Sequence, residues 1–436
     1  MNKNYQNKTR KVAPDAPTMI VPEHVTVALS EIAADMQEGL LALAVGAGLQ
    51  VMQAMFTENV AELCGVKGRH DPERAGYRHG TEAGSVTLGG RRVPVQRPRV
   101  RAADGSGELQ VPAYELFSST EVLGQMAMTR MLGGLSTRRY RVGLEPVGAA
   151  VTASSSATSK SAVSRKFVAM TETALADLLG ADLSKLDLVA FMVDGVYFAE
   201  HLCVVALGID IDGRKHPLGL VEGSTENATV VRDLIVGLRE RGLDVTKPIL
   251  AVLDGSSALR RAVLDVFDKP VIARCQLHKI RNVTDKLPQH LRPAVGRKMR
   301  AAYHADSALV AQVELEALAR ELAKTHPGAA GSLREGLEET LTVLRLNLPP
   351  TLARTFRSTN AVESMIGICR EHAKNVKRWR DGQMALRWCA AGMIEAGKQF
   401  RRVNGHMHLQ TLRAALERET SKTVGATCHD QEVNAA

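Results

Sequence analysis

Two aspartates stand in apolar surroundings where a soluble protein rarely places an unpaired carboxylate. Asp194 interrupts the apolar run Leu188–Phe198, and Asp254 directly follows the apolar run Pro248–Leu253. Burying a carboxylate costs on the order of several kcal/mol unless its charge is compensated, and a divalent cation is a strong partner for it. On a chain with a formal net charge of +9, the two acids indicate metal-dependent chemistry on nucleic acid.

Asp254 also has an ordinary structural interpretation. A helix is predicted to begin near Ser257, and an acid after a strand often caps the next helix, a contact worth about 1 kcal/mol. Both interpretations of Asp254 stay open on local sequence. Asp194 has no such duty, because a residue in the middle of a strand has no helix to cap.

Glu363 is the third candidate acid, and a helix is predicted to begin near Asn360. Asn360 and Glu363 have the spacing of a capping box, which would make Glu363 structural. At about 100° per residue, three cations lie within roughly 40° of Glu363 on that helix. These cations are Arg370, Lys374 and Lys377. A carboxylate continued by a cationic stripe suits a metal ligand beside a phosphate track, and the alternative is a solvated basic face.

Cys275 and His278 form half of a zinc-binding pattern. The sequence shows no second Cys/His pair at zinc spacing, so a closed structural zinc site is not expected. The ordinary interpretation is packing plus one polar contact. Because the pair directly follows a predicted strand, it is also a candidate for supporting the acids.

Trp379 is surrounded by cations, which suits contact with DNA phosphates or bases. The cations of this segment are Lys377, Arg378 and Arg380. The alternative is the end of a helix with the indole packed inward.

A hairpin is predicted in the N-terminal part, with strands Ser85–Leu88 and Arg91–Val95 around Gly89-Gly90. Its second strand runs into a cationic segment that we expect to contact DNA. The arginines of that segment are Arg97, Arg99 and Arg101. The segment Ala157–Phe167 is a helix start with three cations, and it fits either a DNA-recognition helix or a serine-capped surface helix.

Composition restricts the class of protein. The chain has 436 residues and is 45% hydrophobic, so it can form a large core. Its sequence pI of about 9.3 favours DNA or RNA as partner, although an unrelated basic enzyme would share that charge. Aromatic residues are only 4%, which argues against base stacking as the main binding mode. Six scattered cysteines, no secretory signal and no long apolar run predict a soluble cytoplasmic protein.

The middle of the chain alternates strands and helices in a mixed order. Three leading strands joined by tight turns predict an antiparallel meander, and the helical crossovers after them predict parallel strands. The predicted strands are Leu186–Ala199, His201–Asp210, His216–Glu222, Pro248–Leu253 and Pro270–Cys275, with helices Asn227–Arg241 and Ser257–Phe267 between the last three. This five-stranded α/β order is the ribonuclease H-like arrangement. Helical patterns dominate most of the remaining chain.

Several motifs together resemble the Mutator-type transposases of bacterial insertion sequences. They are Asp194-Gly195, Leu253-Asp254-Gly255, Cys275-x-x-His278, Ser358-Thr-Asn-Ala-Val-Glu363, Val376-Lys-Arg-Trp-Arg-Asp-Gly382, and Gly89-Gly90 with Pro98–Arg101. The resemblance covers most of the chain, from about Lys67 to Gly405. No single motif is specific, but their combination is.

The resemblance implies a DDE transposase, in which three acids hold two Mg²⁺ ions, with Mn²⁺ as a substitute. The acids would be Asp194, Asp254 and Glu363. Water would first attack at the transposon end, and the freed 3′-hydroxyl would then attack double-stranded target DNA. Asp194 and Asp254 are 60 positions apart (254 − 194), whereas Asp254 and Glu363 are 109 apart (363 − 254). The longer separation agrees with an all-helical insertion before the last acid, and Cys275 and His278 would belong to its entry motif.

The domain division expected on this basis has six parts. They are a mobile tail over 1–22, a mainly helical DNA-binding and dimerisation region with its hairpin over 23–180, the first part of the core over 181–278, the helical insertion over 279–350, the completion of the core over 351–405, and a C-terminal tail over 406–436. The N-terminal region would bind terminal inverted repeats as a homodimer or larger assembly. A ribonuclease H-like nuclease or resolvase without strand transfer, and an inactive DNA-binding protein, are the alternatives.

Overall fold

The computed structural model describes residues 39–145, 147–223 and 227–433. The tail expected over 1–22 lies outside them. The chain divides into two compact units, and the first comprises residues up to Ala127 together with Thr137–Val163. The second comprises Met128–Ser136 and Ser164–Ala436.

The first unit is built around the predicted hairpin, whose strands are longer than expected. Strand β1 spans Gly76–Leu88 and strand β2 spans Arg91–Ala102, and they pair antiparallel around Gly89 and Gly90. Both turn glycines have positive φ (51° and 77°), as a tight two-residue turn of this kind requires. The sequence missed the outer half of β1 because its side chains are mostly polar and exposed, so backbone pairing alone extends the strand. The short strand β3, Glu108–Leu109, adds to β2.

Helices pack against this hairpin and continue beyond it. Residues buried in the shared core include Phe56, Val86, Val93 and Val100. The helices are α1 (Leu40–Cys64), α2 (Pro112–Ser118), α3 (Glu121–Leu132) and α4 (Ala149–Ser154), with a 3₁₀ turn at Tyr140–Gly143; α5 (Lys160–Gly180) follows them and belongs mostly to the second unit. Helix α3 ends at Leu132, because Gly133 and a left-handed Gly134 (φ 98°) follow it.

The second unit contains a mixed five-stranded sheet, as predicted. Its strands are β4 (Leu188–Phe198), β5 (His201–Asp210), β6 (Lys215–Gly223), β7 (Ile249–Leu253) and β8 (Pro270–Arg274). They lie in the order β6-β5-β4-β7-β8; β4, β5 and β6 pair antiparallel, whereas β7 pairs parallel with β4 and with β8. The helices α6 (Ala228–Glu240) and α7 (Ser257–Val266) share a hydrophobic core with one face of this sheet. The architecture is therefore α/β, with β4 in the middle.

Six helices follow the sheet and form a hydrophobic core of their own. They are α8 (Gln276–Thr284), α9 (Arg292–Ala302), α10 (Ala308–Ala323), α11 (Pro327–Arg334), α12 (Leu337–Thr340) and α13 (Thr342–Arg345). Val283, Met299, Leu315 and Leu333 are buried in that core. Helix α14 (Pro350–Phe356) follows these six helices and begins at the second of two consecutive prolines, Pro349 and Pro350.

Three helices complete the second unit. They are α15 (Asn360–Ala373), α16 (Gly382–Gln399) and α17 (Leu409–Val433). A C-terminal tail was expected over 406–436, but the start of α17 is packed against the rest of the second unit. Leu412 and Leu416 are buried, and Arg413 donates hydrogen bonds to Asp187 and to the carbonyl oxygens of Pro248 and Leu188. Among the described residues, no helix is both long enough and apolar enough to cross a membrane.

Candidate active site

Asp194 lies on β4, and Asp254 directly follows the neighbouring parallel strand β7 at a matching position. The register of β4 and β7 ends at the pair Met192 and Val252, and each aspartate lies two residues further along its strand direction. Side chains two residues apart on a strand share a face, and neighbouring strands are about 4.8 Å apart. Sheet register therefore places the two carboxylates on the same face of neighbouring strands.

The face that carries the aspartates is the one that α15 and α16 approach. Val193 and Leu253, which alternate with the two acids, are buried against α6 and α7 on the opposite face. Helices α15 and α16 contact β4, β5 and β6, and Cys389 of α16 interacts with the buried Cys203 of β5. Glu363 lies in the first turn of α15. The third acid is thus on the same side of the sheet as the other two.

The charges of both other acids act on Asp194. Burial is the largest effect on Asp194 and raises its pKa to about 6. The Gly195 N–H donates a hydrogen bond to Asp194 Oδ1 at 2.8 Å, and this bond lowers the pKa of Asp194. The negative charges of Asp254 and Glu363 raise this pKa further, while His278 lowers it. Asp194 therefore experiences both other acids and lacks full compensation within the protein.

Asp254 is held by a tight turn and does not cap a helix. Its Oδ1 accepts a hydrogen bond from the Ser256 N–H at 2.8 Å, and Ser256, not Asp254, is the N-cap residue of α7. The capping interpretation is wrong because the chain needs two further residues to turn from the strand into the helix. Gly255 makes this turn with φ 110°, and a Cβ added there would lie 2.1 Å from the Nε of Arg274.

Arg274 and Lys279 are supporting residues that sequence reasoning missed. Arg274 is only 7% exposed, and its Nη1 donates to the carbonyl oxygen of Glu335 at 3.2 Å. Lys279 is fully buried and donates to the carbonyl oxygens of Ser332, at 2.6 Å, and of Glu335. Burial, followed by the charge of Arg274, lowers the pKa of Lys279 to about 8. The sequence could have indicated that Arg274 is buried, because this charged residue ends an apolar strand just as Asp254 follows one.

Glu363 is positioned by side-chain contacts at the start of α15. The capping box is wrong, because Thr359 is the N-cap residue and Asn360 already belongs to the helix. The Thr359 hydroxyl donates to Glu363 Oε1 at 2.5 Å. The Nδ1 atom of His278 lies 3.4 Å from the Thr359 hydroxyl and 3.8 Å from Glu363 Oε1. Thr359 therefore joins Glu363 to the Cys275–His278 motif.

Cys275 and His278 complete a compact group with Glu363. One ligand atom from each of the three residues lies within 4.8 Å of the others, and Asp194 and Asp254 are outside this group. Burial raises the pKa of the Cys275 thiol, but contacts with His278 and Thr359 lower it more. Contact with Cys275 raises the pKa of His278, against the effect of burial. The supporting role expected for the pair is compatible with this geometry, and the group also has the donor types of a metal site.

Comparison with known proteins identifies the relatives of this chain. The family model of the Mutator-family transposases matches residues 23–403. The chain belongs to the Mutator family of transposases.

Individual relatives of this Mutator-family chain are insertion-sequence transposases. The transposase for insertion sequence element ISRM5 of Rhizobium meliloti (strain 1021) is 25% identical over 373 residues, which cover 83% of this chain and 90% of the relative. The transposase for IS6120 of Mycolicibacterium smegmatis is 30% identical over 200 residues, or 44% of this chain and 61% of the relative. A probable insertion-sequence transposase of Corynebacterium diphtheriae is 27% identical over 195 residues, or 44% and 56% respectively.

The cationic stripe expected beside Glu363 is shorter in this transposase than predicted. Arg370 is exposed on α15, but the helix ends at Ala373 and Lys374 is its C-cap residue. Lys377 follows in an irregular segment, so its helical angle relative to Glu363 has no structural meaning. The stripe was wrong at Lys377 because helical periodicity was extended past the end of the helix.

The segment around Trp379 is irregular and partly packed. The Trp379 ring lies 4.8 Å from Phe198 and 6.3 Å from Trp388, measured between ring centroids. The indole is therefore directed inward, although not from a helix end. Arg380 pairs with Asp381 at 3.0 Å, and Asp381 caps α16 by accepting from the Met384 N–H. Two predicted DNA contacts, Lys377 and Arg378, are exposed.

The arginines of β2 alternate along the strand and so share one face. Arg97 pairs with Glu82 at 3.0 Å and with Glu108 at 2.7 Å. Arg99 contacts the same two glutamates at 3.5 and 2.8 Å. Arg101 is exposed. Much of the positive charge expected of this segment is therefore balanced locally.

Proposed function

We propose that this Mutator-family protein is a DDE transposase with a ribonuclease H-like core, whose reactive site consists of Asp194, Asp254 and Glu363. The observation that carries the proposal is the half-buried Asp194, which shares a face of the sheet with Asp254 and whose pKa is raised by burial and then by the charges of both other acids. Three acids that lie together on a basic chain suit phosphodiester chemistry. The strand order β6-β5-β4-β7-β8, with two antiparallel and two parallel strand pairs, supports the ribonuclease H-like assignment.

The residues present fit a pair of hard divalent cations. Carboxylate oxygens are the ligands that Mg²⁺ prefers, and Asp194 lacks full charge compensation within the protein. Asp194, Asp254 and Glu363 would hold two Mg²⁺ ions, with Mn²⁺ as a substitute. When bound, such ions supply a nucleophile of lowered pKa and neutralise charge on the scissile phosphate.

The protein groups around the acids would keep them in place during the reaction. The Gly195 N–H and the Ser256 N–H restrict the rotation of Asp194 and Asp254. Thr359 and His278 restrict Glu363. Because phosphoryl transfer depends mainly on placement and charge neutralisation, these contacts contribute to the rate without reacting.

Two successive reactions follow from this assignment. Water attacks at the transposon end, and the freed 3′-hydroxyl then attacks double-stranded target DNA. The region over 23–180 would bind terminal inverted repeats, with the core over 181–278 and 351–405 and the helical insertion over 279–350. A homodimer or larger assembly would hold two ends together.

Incubation of the protein with labelled end DNA, a plasmid target and Mg²⁺ tests this proposal. Products joined to the plasmid support transposition. Cleavage without joining would instead indicate a nuclease or resolvase, and binding without either product would indicate an inactive DNA-binding protein. Omission of the divalent ion is the control, since metal-independent joining contradicts the proposal.

A further inference from the structure

A cavity of about 530 Å³ lies beside the two segments that carry His278 and Glu363. Its walls come from α8, α9 and the chain from Val343 to Asn360, all within the second unit. Gln276 and Leu277 line it, and so do Ser358 and Asn360. The cavity therefore lies against the same stretches of backbone that position the candidate active site.

Positive charge is concentrated at this cavity. Three arginines line it, together with one carboxylate, that of Asp306. The arginines are Arg300, Arg354 and Arg357. Within the described part of the chain, the Nε of Arg357 is buried and has no hydrogen-bond partner. Burial, and then the neighbouring charge of Arg354, lower the pKa of Arg357. Arg354 is exposed, so the desolvated guanidinium is that of Arg357, and an anion beside both arginines would compensate its charge and reduce their mutual repulsion.

The start of α15 adds a second attraction for an anion. Ser358 and Asn360 flank the N-cap residue Thr359, and no side chain caps the first N–H groups of this 14-residue helix. Free N–H groups and the helix dipole favour negative charge at that end. Arg354 and Arg357 lie within six residues of Asn360, the first residue of this helix, and all three line the cavity.

Apolar side chains also line the cavity. Leu277, Ile280, Leu344, Leu348 and Ala353 line it. A cavity of several hundred Å³ with apolar walls and a few polar groups is typical of small organic ligands, and it is much larger than a single inorganic anion needs. The combination of cationic and aliphatic side chains fits a nucleotide, with its phosphate on the arginines and its base on the aliphatic side chains.

The cavity is joined to the candidate active site through one backbone hydrogen bond. The Gln276 N–H donates to the carbonyl oxygen of Arg357 at 2.9 Å. His278 follows Gln276 by two residues, and Glu363 follows Arg357 by six. A ligand held by Arg357 therefore contacts the segments that carry both residues.

We infer that this cavity binds one nucleotide of a DNA strand, with its phosphate on Arg354 and Arg357 and its base against the aliphatic wall. The inference rests on the proposed function in taking DNA as the substrate. The contact anchors the strand next to Glu363. Arg354 and Arg357 are thus positioning residues for the strand, outside the reacting group itself.

The central experiment compares two double variants that remove the same charge. Arg354→Gln with Arg357→Gln alters the cavity, whereas Arg297→Gln with Arg320→Gln removes two exposed cations from α9 and α10 outside it. Binding of labelled single-stranded and double-stranded oligonucleotides is measured by fluorescence anisotropy in EDTA at several salt concentrations. We expect the cavity variant to lose about tenfold in affinity and to reduce the salt slope by about 2, with a smaller loss in the control. Equal losses in the two variants would overturn the inference.

Two further arms identify the source of the phosphate. Inorganic phosphate and a free deoxynucleotide monophosphate are titrated against the wild type and the cavity variant. Weak competition with DNA that disappears in the cavity variant supports a nucleotide site. Tight binding of either free ligand, with unchanged DNA affinity in the cavity variant, would mean that the cavity serves a small molecule and would overturn the inference.

Folding and the proposed reaction are controlled separately. Arg357→Lys keeps a cation in the cavity and should retain more than half of the affinity, and circular dichroism shows whether each variant folds. Because binding is measured without divalent ions, the result does not depend on cleavage. If wild-type protein binds DNA through the cavity but never cleaves it, the proposed reaction fails while the cavity assignment stands. If cleavage occurs and the cavity variants bind like the wild type, the cavity assignment fails alone.

Discussion

The two sides of the candidate active site are constructed by different means. Asp194 and Asp254 are placed by backbone, since the register of two central strands brings them together. Glu363 is placed by side chains, through the Thr359 hydroxyl and the neighbouring His278. A strand pair within a buried sheet is rigid, whereas a side-chain contact at a helix start depends on one or two residues. The strand side should therefore tolerate changes around it, and the helix side should respond to substitution of its supporting residues.

The largest expected effect comes from the acids themselves. Asp194→Asn or Asp254→Asn should lower metal-dependent cleavage of end DNA by on the order of 10³-fold, because each removes a charge that stabilises the transition state. DNA affinity in EDTA should stay within about twofold. Single-turnover cleavage and anisotropy on the same oligonucleotide measure the two quantities.

Glu363→Gln sharpens the comparison between the two sides. We expect a loss close to that of the aspartate variants, because its charge acts on Asp194 as that of Asp254 does. A variant that cleaves at near wild-type rate would show that Glu363 only stabilises the start of α15. The strand aspartates would then need another third ligand.

The strand side could be read from the sequence, and the helix side only in part. Asp194 and Asp254 were evident because a charge in an apolar run has few ordinary explanations. The five predicted strands are correct to within two residues at their ends, because each of them is an apolar run in the sequence. Local spacing around Glu363 suggested the wrong cap, since a capping box and a contact with the preceding threonine use nearly the same residues, and its candidacy came instead from the cationic stripe and the family resemblance. Its contact with His278 joins positions 85 residues apart (363 − 278), which no local pattern encodes.

Three other features were missed because they depend on strand pairing, on where a helix ends and on tertiary contacts. The outer half of β1 carries polar side chains, so only its pairing with β2 makes it a strand. The end of α15 was placed too late because helical periodicity does not report where a helix stops. Buried cations such as Lys279 are stabilised by carbonyl oxygens of residues more than 50 positions away, which requires tertiary structure.

Gly255 tests how rigidly the strand side is built. Gly255→Ala places a Cβ 2.1 Å from the Nε of Arg274 at φ 110°, so either the turn or the buried arginine must move. We expect a loss of about 2 kcal/mol in the free energy of unfolding and a marked loss of cleavage. Thermal or urea unfolding measures the first effect.

The matched control is a glycine within α15. Gly367 is helical, and a Cβ there would meet nothing within 4 Å. Gly367→Ala should raise stability by about 0.5 to 1 kcal/mol and leave cleavage unchanged. A Gly255→Ala protein as stable and active as the Gly367→Ala protein would show that the Asp254 turn is adaptable.

Thr359 tests the helix side. Thr359→Val keeps the shape of the side chain but removes the hydroxyl that contacts Glu363 and His278, and we expect about a tenfold fall in the cleavage rate. Thr359→Ser should restore most of the rate. The Mg²⁺ concentration needed for half-maximal cleavage should rise in Thr359→Val, which a purely structural change in the fold would not predict. If valine and serine behave alike, the hydroxyl does not position Glu363.

The smallest expected effect is a pH dependence of stability that arises from Asp194 alone. Its folded-state pKa of about 6 lies above the ordinary 3.8, so the folded protein binds the proton more tightly than the unfolded chain. The stability from this carboxyl is complete below pH 3.8 and is lost as pH rises to about 6. The Asp194→Asn variant has no carboxyl to ionise at this position, so its stability does not fall in this way. In EDTA the variant should therefore become more stable than wild type above pH 6, by about 1 kcal/mol after allowance for partial solvent exposure. Urea unfolding at pH 4.5 and 7.5 measures the difference. A gap that does not widen with pH would show that water screens Asp194, and the argument for a buried, uncompensated strand acid would then fail.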